Sequence, residues 1–67
     1  MVLIPLTSVH EYTTRGHHTQ NDARGNLCVV LRADRYLVLR TTVRIAGTPY
    51  PKGTEVRLDP NGGVITR

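Results

Sequence analysis

The alternation of apolar and polar positions is clearest between Tyr36 and Ala46, in the run YLVLRTTVRIA. Because successive side chains of a strand point to opposite faces, this run predicts a β-strand with one apolar face and one mixed face. The apolar face would carry Leu37, Leu39, Thr41, Val43 and Ile45. The mixed face would carry Tyr36, Val38, Arg40, Thr42 and Arg44.

The preceding run, Leu27–Arg32, is apolar on both faces, so its placement depends on the turn that follows it. A three-residue loop over 33–35 keeps its leucines on the same face as those of the next strand, whereas a four-residue loop over 32–35 mixes the two sets. A slip of one residue moves every side chain to the other face, which favours the shorter loop. That loop requires Arg35 to adopt a left-handed conformation that glycine usually takes. The pattern predicts a long central hairpin over Leu27–Ala46.

The N-terminal third of the chain is less regular. Met1–Ile4 is apolar and predicts a short strand that ends at Pro5, and Leu6–Thr14 alternates weakly, like a second strand. Residues 15–26, RGHHTQNDARGN, are polar without periodicity and predict a long loop. Loops of this length are either functional or simply mobile, and mobility is the more frequent case.

Turn signals divide the C-terminal third. In GTPYPKG, residues 47–53, two prolines stiffen the chain and are expected to hold Tyr50 on an exposed turn. Residues 54–58 alternate again, and DPNGG at 59–63 is the strongest turn signal in the chain. Residues 64–66 would return as the second strand of a hairpin.

Four to six short strands at close spacing, with no sustained helical periodicity, predict an all-β fold. We expect residues 1–67 to form one small β domain with a polar loop at 15–26. The architecture would be a small antiparallel barrel or sandwich, of SH3-like or OB-like size, with the hairpin 27–46 at its centre.

The composition limits the core that such a domain can build. The chain has no Phe and no Trp, and its apolar mass is eight Val, seven Leu and three Ile. A chain of this length buries only about 60% of its unfolded surface. Small scaffolds with so thin a core usually recruit disulfides, a metal or a partner subunit.

Cysteine use and hydropathy point to an intracellular setting. Cys28 is the only cysteine, which excludes a disulfide within the chain and is typical of a reducing compartment. The first six residues, MVLIPL, are too short for a secretory signal or a membrane span. A cytoplasmic location is therefore expected.

The positive charge is concentrated after residue 26. The formal net charge is +4, and the excess lies in residues 27–67, where Arg outnumbers Lys. Arginine presents planar, forked donors that suit phosphate, carboxylate and interface stacking. Genome base composition also favours Arg over Lys in some organisms, so this preference is not specific to a function.

The sequence contains no recognisable constellation for metal binding, cofactor binding or catalysis. His17 and His18 are adjacent, and an extended loop would point them to opposite sides. Convergence of His10, a loop histidine and Cys28 on a metal is a minor alternative. Cys28 would face Arg40 across the central hairpin, which would activate its thiol, but a small buried side chain is the better expectation. We expect no enzyme activity, no cofactor and no metal.

The mixed face of the hairpin remains as the candidate working surface. Tyr and Arg dominate contact energies at interfaces, especially where apolar neighbours exclude water. The expected partner-binding residues are Arg32, Tyr36, Val38, Arg40, Arg44 and Tyr50. The plain alternative is a solvated strand face whose valines reflect β-propensity alone.

Two functions fit such a face. The first is a non-enzymatic protein-binding or assembly module, whose partner is another protein or copies of itself. The second is a small basic β-module that binds nucleic acid, with Arg40, Thr42 and Arg44 on phosphates and Tyr36 as a stacking platform. The modest charge and the single aromatic on this face favour the first.

Overall fold

Short runs of leucine and β-branched residues, separated by turns, form eight strands in the computed structural model, which describes residues 1–66. The strands are β1 (Leu3–Pro5), β2 (Thr19–Asn21), β3 (Leu27–Val30), β4 (Leu37–Val38), β5 (Val43–Ile45), β6 (Thr48–Tyr50), β7 (Glu55–Leu58) and β8 (Val64–Thr66). A 3₁₀ helix, Leu6–Ser8, and a single-turn helix α1, Glu11–Thr14, lie between β1 and β2. The predicted all-β class is confirmed, although the strands are shorter and more numerous than expected.

The strands form three small antiparallel sheets, ordered β1-β3-β2, β4-β7-β8 and β5-β6, and none of them closes into a barrel. The N-terminal segment joins the first two sheets. After β1, the chain forms a bridge from Val9 to Leu39, and the Arg40 N–H donates to the Ser8 carbonyl at 2.9 Å. The same N-terminal chain therefore borders both sheets.

The core between these sheets is aliphatic. Its buried side chains are Ile4, Val9, Val29, Leu31, Leu37, Leu39, Ile45 and Val56. Each such side chain contributes roughly 1.5–3 kcal/mol when it is fully removed from water. The leucines of the Tyr36–Ala46 run point inward as predicted, but Thr41, expected on the same face, is exposed.

The predicted central hairpin over Leu27–Ala46 is wrong. Strand β3 pairs with β1 on one side and with β2 on the other, whereas β4 pairs with β7 in a different sheet. The reason is local turn chemistry. Residues 22–26 form a hydrogen-bonded hairpin turn that places β2 beside β3. The residues after β3 then connect it to β4 in a different sheet.

The run from Tyr36 to Ala46 is also not one strand. Strand β4 ends at Val38, the chain bends at Arg40 and Thr41, and β5 belongs to the separate two-stranded ribbon. Long-range bonds to Leu39 hold this break, since its N–H donates to the Thr54 carbonyl and its carbonyl accepts from the Gly53 N–H. The side chains of the predicted mixed face are therefore divided between two sheets.

Two segments before β3 differ from their predicted states. Leu6–Thr14 is not one strand: it contains the 3₁₀ helix and α1, with Val9 and His10 extended between them. In α1, the Thr13 and Thr14 hydroxyls donate to the carbonyls of His10 and Glu11, three residues earlier. The predicted loop at 15–26 contains strand β2. All three residues of β2 are polar and exposed, which is why no apolar periodicity marks them.

Two turns of the same design close the hairpins β2–β3 and β7–β8. Residues 22–26 read DARGN and residues 59–63 read DPNGG. In each turn the leading aspartate accepts two backbone N–H bonds through its carboxylate, and the glycine at its fourth position has a φ near 90°. This is the three-residue loop in which glycine occupies the left-handed position. The predicted hairpin over residues 54–66 is confirmed.

The ribbon β5-β6 differs from the prediction in the position of Tyr50. Ala46 and Gly47 join its strands with φ values of 52° and 84°, as in a two-residue type I′ turn. Tyr50, expected on an exposed turn, instead lies in β6 opposite Val43, half-buried against the core. Its ring therefore contributes to packing.

Candidate partner-binding surface

The sheet β4-β7-β8 has one face toward the core and one face away from it. Along β7, Val56 is fully buried, so the flanking Glu55 and Arg57 point to the opposite side. Residues directly opposite each other in neighbouring strands share a face, and the register pairs Val38 with Glu55 and Ile65 with Arg57. We call this surface the outer face; its members are Tyr36, Val38, Glu55, Arg57 and Ile65.

Tyr36 joins the outer face through Arg57. The guanidinium carbon of Arg57 lies 4.8 Å from the centre of the Tyr36 ring, a cation–π geometry. The Nη1 of Arg57 also donates to the Ala33 carbonyl at 3.2 Å. Both side chains are half-buried, so the pair is held in one arrangement rather than free in solvent.

The loop over residues 32–36, at one end of the outer face, gathers positive charge. Arg32 forms a two-point ion pair with Asp34, with Nε–Oδ1 and Nη2–Oδ2 distances of 3.0 and 3.1 Å. Arg35 reaches away from the loop and donates to the Arg15 carbonyl at 2.9 Å. Because both partners of the Arg32–Asp34 pair are more than a third exposed, we assign it little stability. Arg57 also contacts this loop, at the Ala33 carbonyl.

The position of the Arg35 side chain explains why residue 16 is a glycine. Its guanidinium lies over Gly16, where an added Cβ would come within 2.5 Å of Nη1. Gly16 also has a φ of 83°, a left-handed conformation that favours glycine. The close approach places Arg35 beside His17. Burial lowers the pKa of His17 below its usual value, and the charges of Arg35 and Arg32 lower it further. Val30 and Asp34 raise this pKa, but the net shift is downward.

The structure brings together only part of the predicted binding set. Tyr36 and Val38 lie on the outer face, and Arg32 lies at its end. Arg40 is exposed at the bend after β4, in a shallow depression with Lys52. Arg44 is exposed on β5 opposite Pro49, in the separate ribbon that also holds Tyr50.

Three members of the outer face were missing from the predicted set: Glu55, Arg57 and Ile65. The alternation of residues 54–58 placed Arg57 outward, and the DPNGG turn fixes Ile65 opposite it. The sequence thus contained the signal for this pair. Nothing local indicated that Tyr36 would be their neighbour, because the pairing of β4 with β7 spans most of the C-terminal half of the chain.

Cys28 is a buried structural residue, as the sequence favoured. Its side chain is 2% exposed, and its register partners are Pro5 in β1 and Gln20 in β2. The expected position opposite Arg40 is wrong, because β3 does not pair with β4. Burial raises the pKa of the Cys28 thiol, and the adjacent Asp22 carboxylate raises it further. The thiol is therefore not activated.

Other kinds of site find no support in the described part of the chain. Among residues 1–66, no group of three or more His, Cys, Asp or Glu side chains is placed to hold a metal ion. No helix formed by these residues is long and apolar enough to span a membrane. Comparison of the chain with protein-family models, with curated proteins and with solved structures finds no match.

Proposed function

We propose that this chain is a non-enzymatic protein-binding or assembly module that works through the outer face. The observation that carries this proposal is the stack of Arg57 on Tyr36, bordered by Val38 and Ile65. Tyrosine and arginine are the residue types that dominate interface energetics, and apolar neighbours strengthen them by excluding water. Two side chains already fixed against each other also lose less conformational entropy when a partner binds.

The charges around the outer face favour an acidic partner surface. Arg32 and Arg35 extend from the loop over 32–36, Arg57 contacts its Ala33 carbonyl, and Arg32 is paired with Asp34. Guanidinium groups bind carboxylates in a forked, directional way, which suits protein recognition. The partner is another protein or further copies of this chain. The lone buried Cys28 fits the cytoplasmic location that we include in this proposal.

Nucleic-acid binding is the second candidate, because the same three arginines would also suit phosphates. The Tyr36 ring argues against it. One face of that ring is covered by Arg57, which leaves it a poor platform for an unstacked base. Binding of a random oligonucleotide that is detectable at low salt and falls steeply as salt is added would favour this candidate.

Site-specific photocrosslinking tests the proposed surface. We expect benzoyl-phenylalanine in place of Tyr36 to form protein adducts in extracts of the source cells, because this position lies inside the contact area. The change is conservative, since it enlarges an aromatic side chain that is already half-buried. Adducts would be resolved by denaturing electrophoresis and identified by mass spectrometry.

Tyr12 provides the control position. Its side chain is 73% exposed, lies on α1 and is not a member of the outer face, so random encounters would label it more than Tyr36. Adducts at position 36 that exceed those at position 12 support the outer face. Stronger labelling at position 12 contradicts it, and adducts at position 36 that nuclease removes support the nucleic-acid candidate.

A further inference from the structure

Strand β8 is the outermost strand of its sheet, and within residues 1–66 it pairs with β7 alone. The turn that precedes it fixes the phase of the hydrogen bonds. The Asp59 N–H donates to the Gly63 carbonyl at 2.7 Å, so these two residues form a hydrogen-bonded pair. Hydrogen-bonded and non-hydrogen-bonded pairs alternate along an antiparallel ladder. Leu58 and Val64 are therefore a non-hydrogen-bonded pair, and Arg57 and Ile65 form the next hydrogen-bonded pair.

The residues on either side of Ile65 point their backbone groups the other way. Opposite Val64, the Leu58 N–H turns away from β8 and donates to the Arg32 carbonyl at 3.2 Å, which agrees with this phase. Val64 and Thr66 accordingly direct their N–H and C=O groups to the open edge of the sheet. Among the described residues, no backbone hydrogen bond outside the ladder with β7 reaches these four groups.

Most other edges of the described sheets carry a feature that discourages pairing. β1 and β6 contain Pro5 and Pro49, and β5 has Arg44 at its centre. On β4, the N–H and carbonyl of Val38 are bound by the Thr13 hydroxyl and by the His10 N–H. Proline, a central charge and coverage by another segment are the usual means by which proteins block edge pairing. β8, with the sequence Val-Ile-Thr, contains neither proline nor a charge, and no other strand within residues 1–66 pairs with its outer edge.

We propose that β8 is a self-complementary edge, which pairs antiparallel with β8 of a second copy of this chain about a two-fold axis through Ile65. In this register Val64 of each copy faces Thr66 of the other, and the outward groups of both residues match in four hydrogen bonds. Ile65 meets its own copy as a non-hydrogen-bonded pair, the type in which side chains lie closest. The two sheets would become one sheet of six strands with a continuous outer face.

Strand β2 is the alternative edge, since it also lacks proline and charge. Its residues, Thr19, Gln20 and Asn21, are all exposed and polar, and Asn is depleted in strands. β8 instead has a high strand propensity and an apolar central residue that gains burial on pairing. Because a three-residue edge buries far less than the about 1,200 Å² of a stable interface, the association is weak and requires high protein concentration.

Sedimentation equilibrium from micromolar to millimolar concentration tests this edge. We expect reversible dimers at the highest concentrations, and more of them when salt screens the repulsion between two chains of net charge +4. Thr66→Pro removes an outward N–H from each copy without removing a bond to β7. It should weaken dimerisation about tenfold or more, because two of the four intermolecular bonds are lost.

Thr19→Pro is the matched control, since it removes an outward N–H from the edge of β2 and should leave the dimer unchanged. If amide spectra show that Thr66→Pro does not fold, Ile65→Lys replaces it by placing like charges opposite each other. A wild-type chain that stays monomeric at millimolar concentration overturns the inference. So does a dimer that resists the β8 variants or responds only to Thr19→Pro. The inference stands independently of the proposed function, whose test concerns Tyr36.

Discussion

Leu39→Ala is expected to lower the free energy of unfolding by about 3 kcal/mol, within the range of roughly 2–5 kcal/mol for buried leucines. The side chain of Leu39 is fully buried, so its truncation leaves a cavity. Leu39 also lies where three segments meet. It forms the bridge to Val9, and its backbone exchanges hydrogen bonds with Gly53 and Thr54. Neighbours held in this way have little freedom to collapse into the cavity.

The effect is large relative to the stability that a chain of 67 residues can have, roughly 3–10 kcal/mol at the usual contribution per residue. Urea unfolding followed by circular dichroism measures this loss of stability as a lower midpoint concentration of urea. The slope of the free energy of unfolding against urea concentration should stay unchanged. Leu27→Ala is the control, since Leu27 is 46% exposed and should cost less than about 1 kcal/mol. Equal losses from the two variants would place Leu39 outside the core.

Arg57→Glu is expected to reduce binding at the outer face by about 30-fold or more, which corresponds to the roughly 2 kcal/mol that defines an interface hot spot. The substitution removes the guanidinium from the Tyr36 ring and from the Ala33 carbonyl. It also places a carboxylate where an acidic partner would approach. The measurement is the yield of protein adducts from benzoyl-phenylalanine at Val38, a neighbouring member of the outer face, with Tyr36 kept in place and with or without Arg57→Glu.

Arg44→Glu makes the same change of charge on the ribbon β5-β6, where Arg44 lies opposite Pro49. If the proposed contact is local to the outer face, this variant keeps most of the adduct yield. A similar loss from both variants would mean that the partner responds to net charge alone. A loss from Arg44→Glu only would restore the ribbon as the binding surface.

Local signals predicted the parts of the fold that depend on neighbouring residues. DPNGG combines an aspartate that accepts backbone N–H bonds with a glycine at the left-handed position, and it produced the expected hairpin. Alternation correctly turned Leu37, Leu39 and Val56 inward. The DARGN turn uses the same chemistry, but the strand before it is polar, so the pattern of apolar positions did not indicate this hairpin.

Pairing between distant strands could not be predicted in the same way. Leu27–Val30 is apolar on both faces because strands flank it on both sides, and this pattern fits several neighbours equally well. The choice of β7 as the partner of β4 depends on the N-terminal chain, which occupies the other edge of β4 at Val38. The binding set inferred from one continuous strand was therefore divided, and Arg57 and Ile65 joined Tyr36 instead.

The pairing of β4 with β7 is the claim on which the outer face depends, and nuclear Overhauser contacts measure it directly. Val38 and Glu55 face each other as a non-hydrogen-bonded pair, since the Val38 N–H and carbonyl point toward the N-terminal segment. Such pairs bring their Hα atoms closest, so a strong Hα–Hα contact between Val38 and Glu55 is expected. In the hairpin over 27–46, the three-residue loop would instead make Leu31 and Leu37 the non-hydrogen-bonded pair, so a strong Hα–Hα contact between these two residues would restore that hairpin and contradict the outer face.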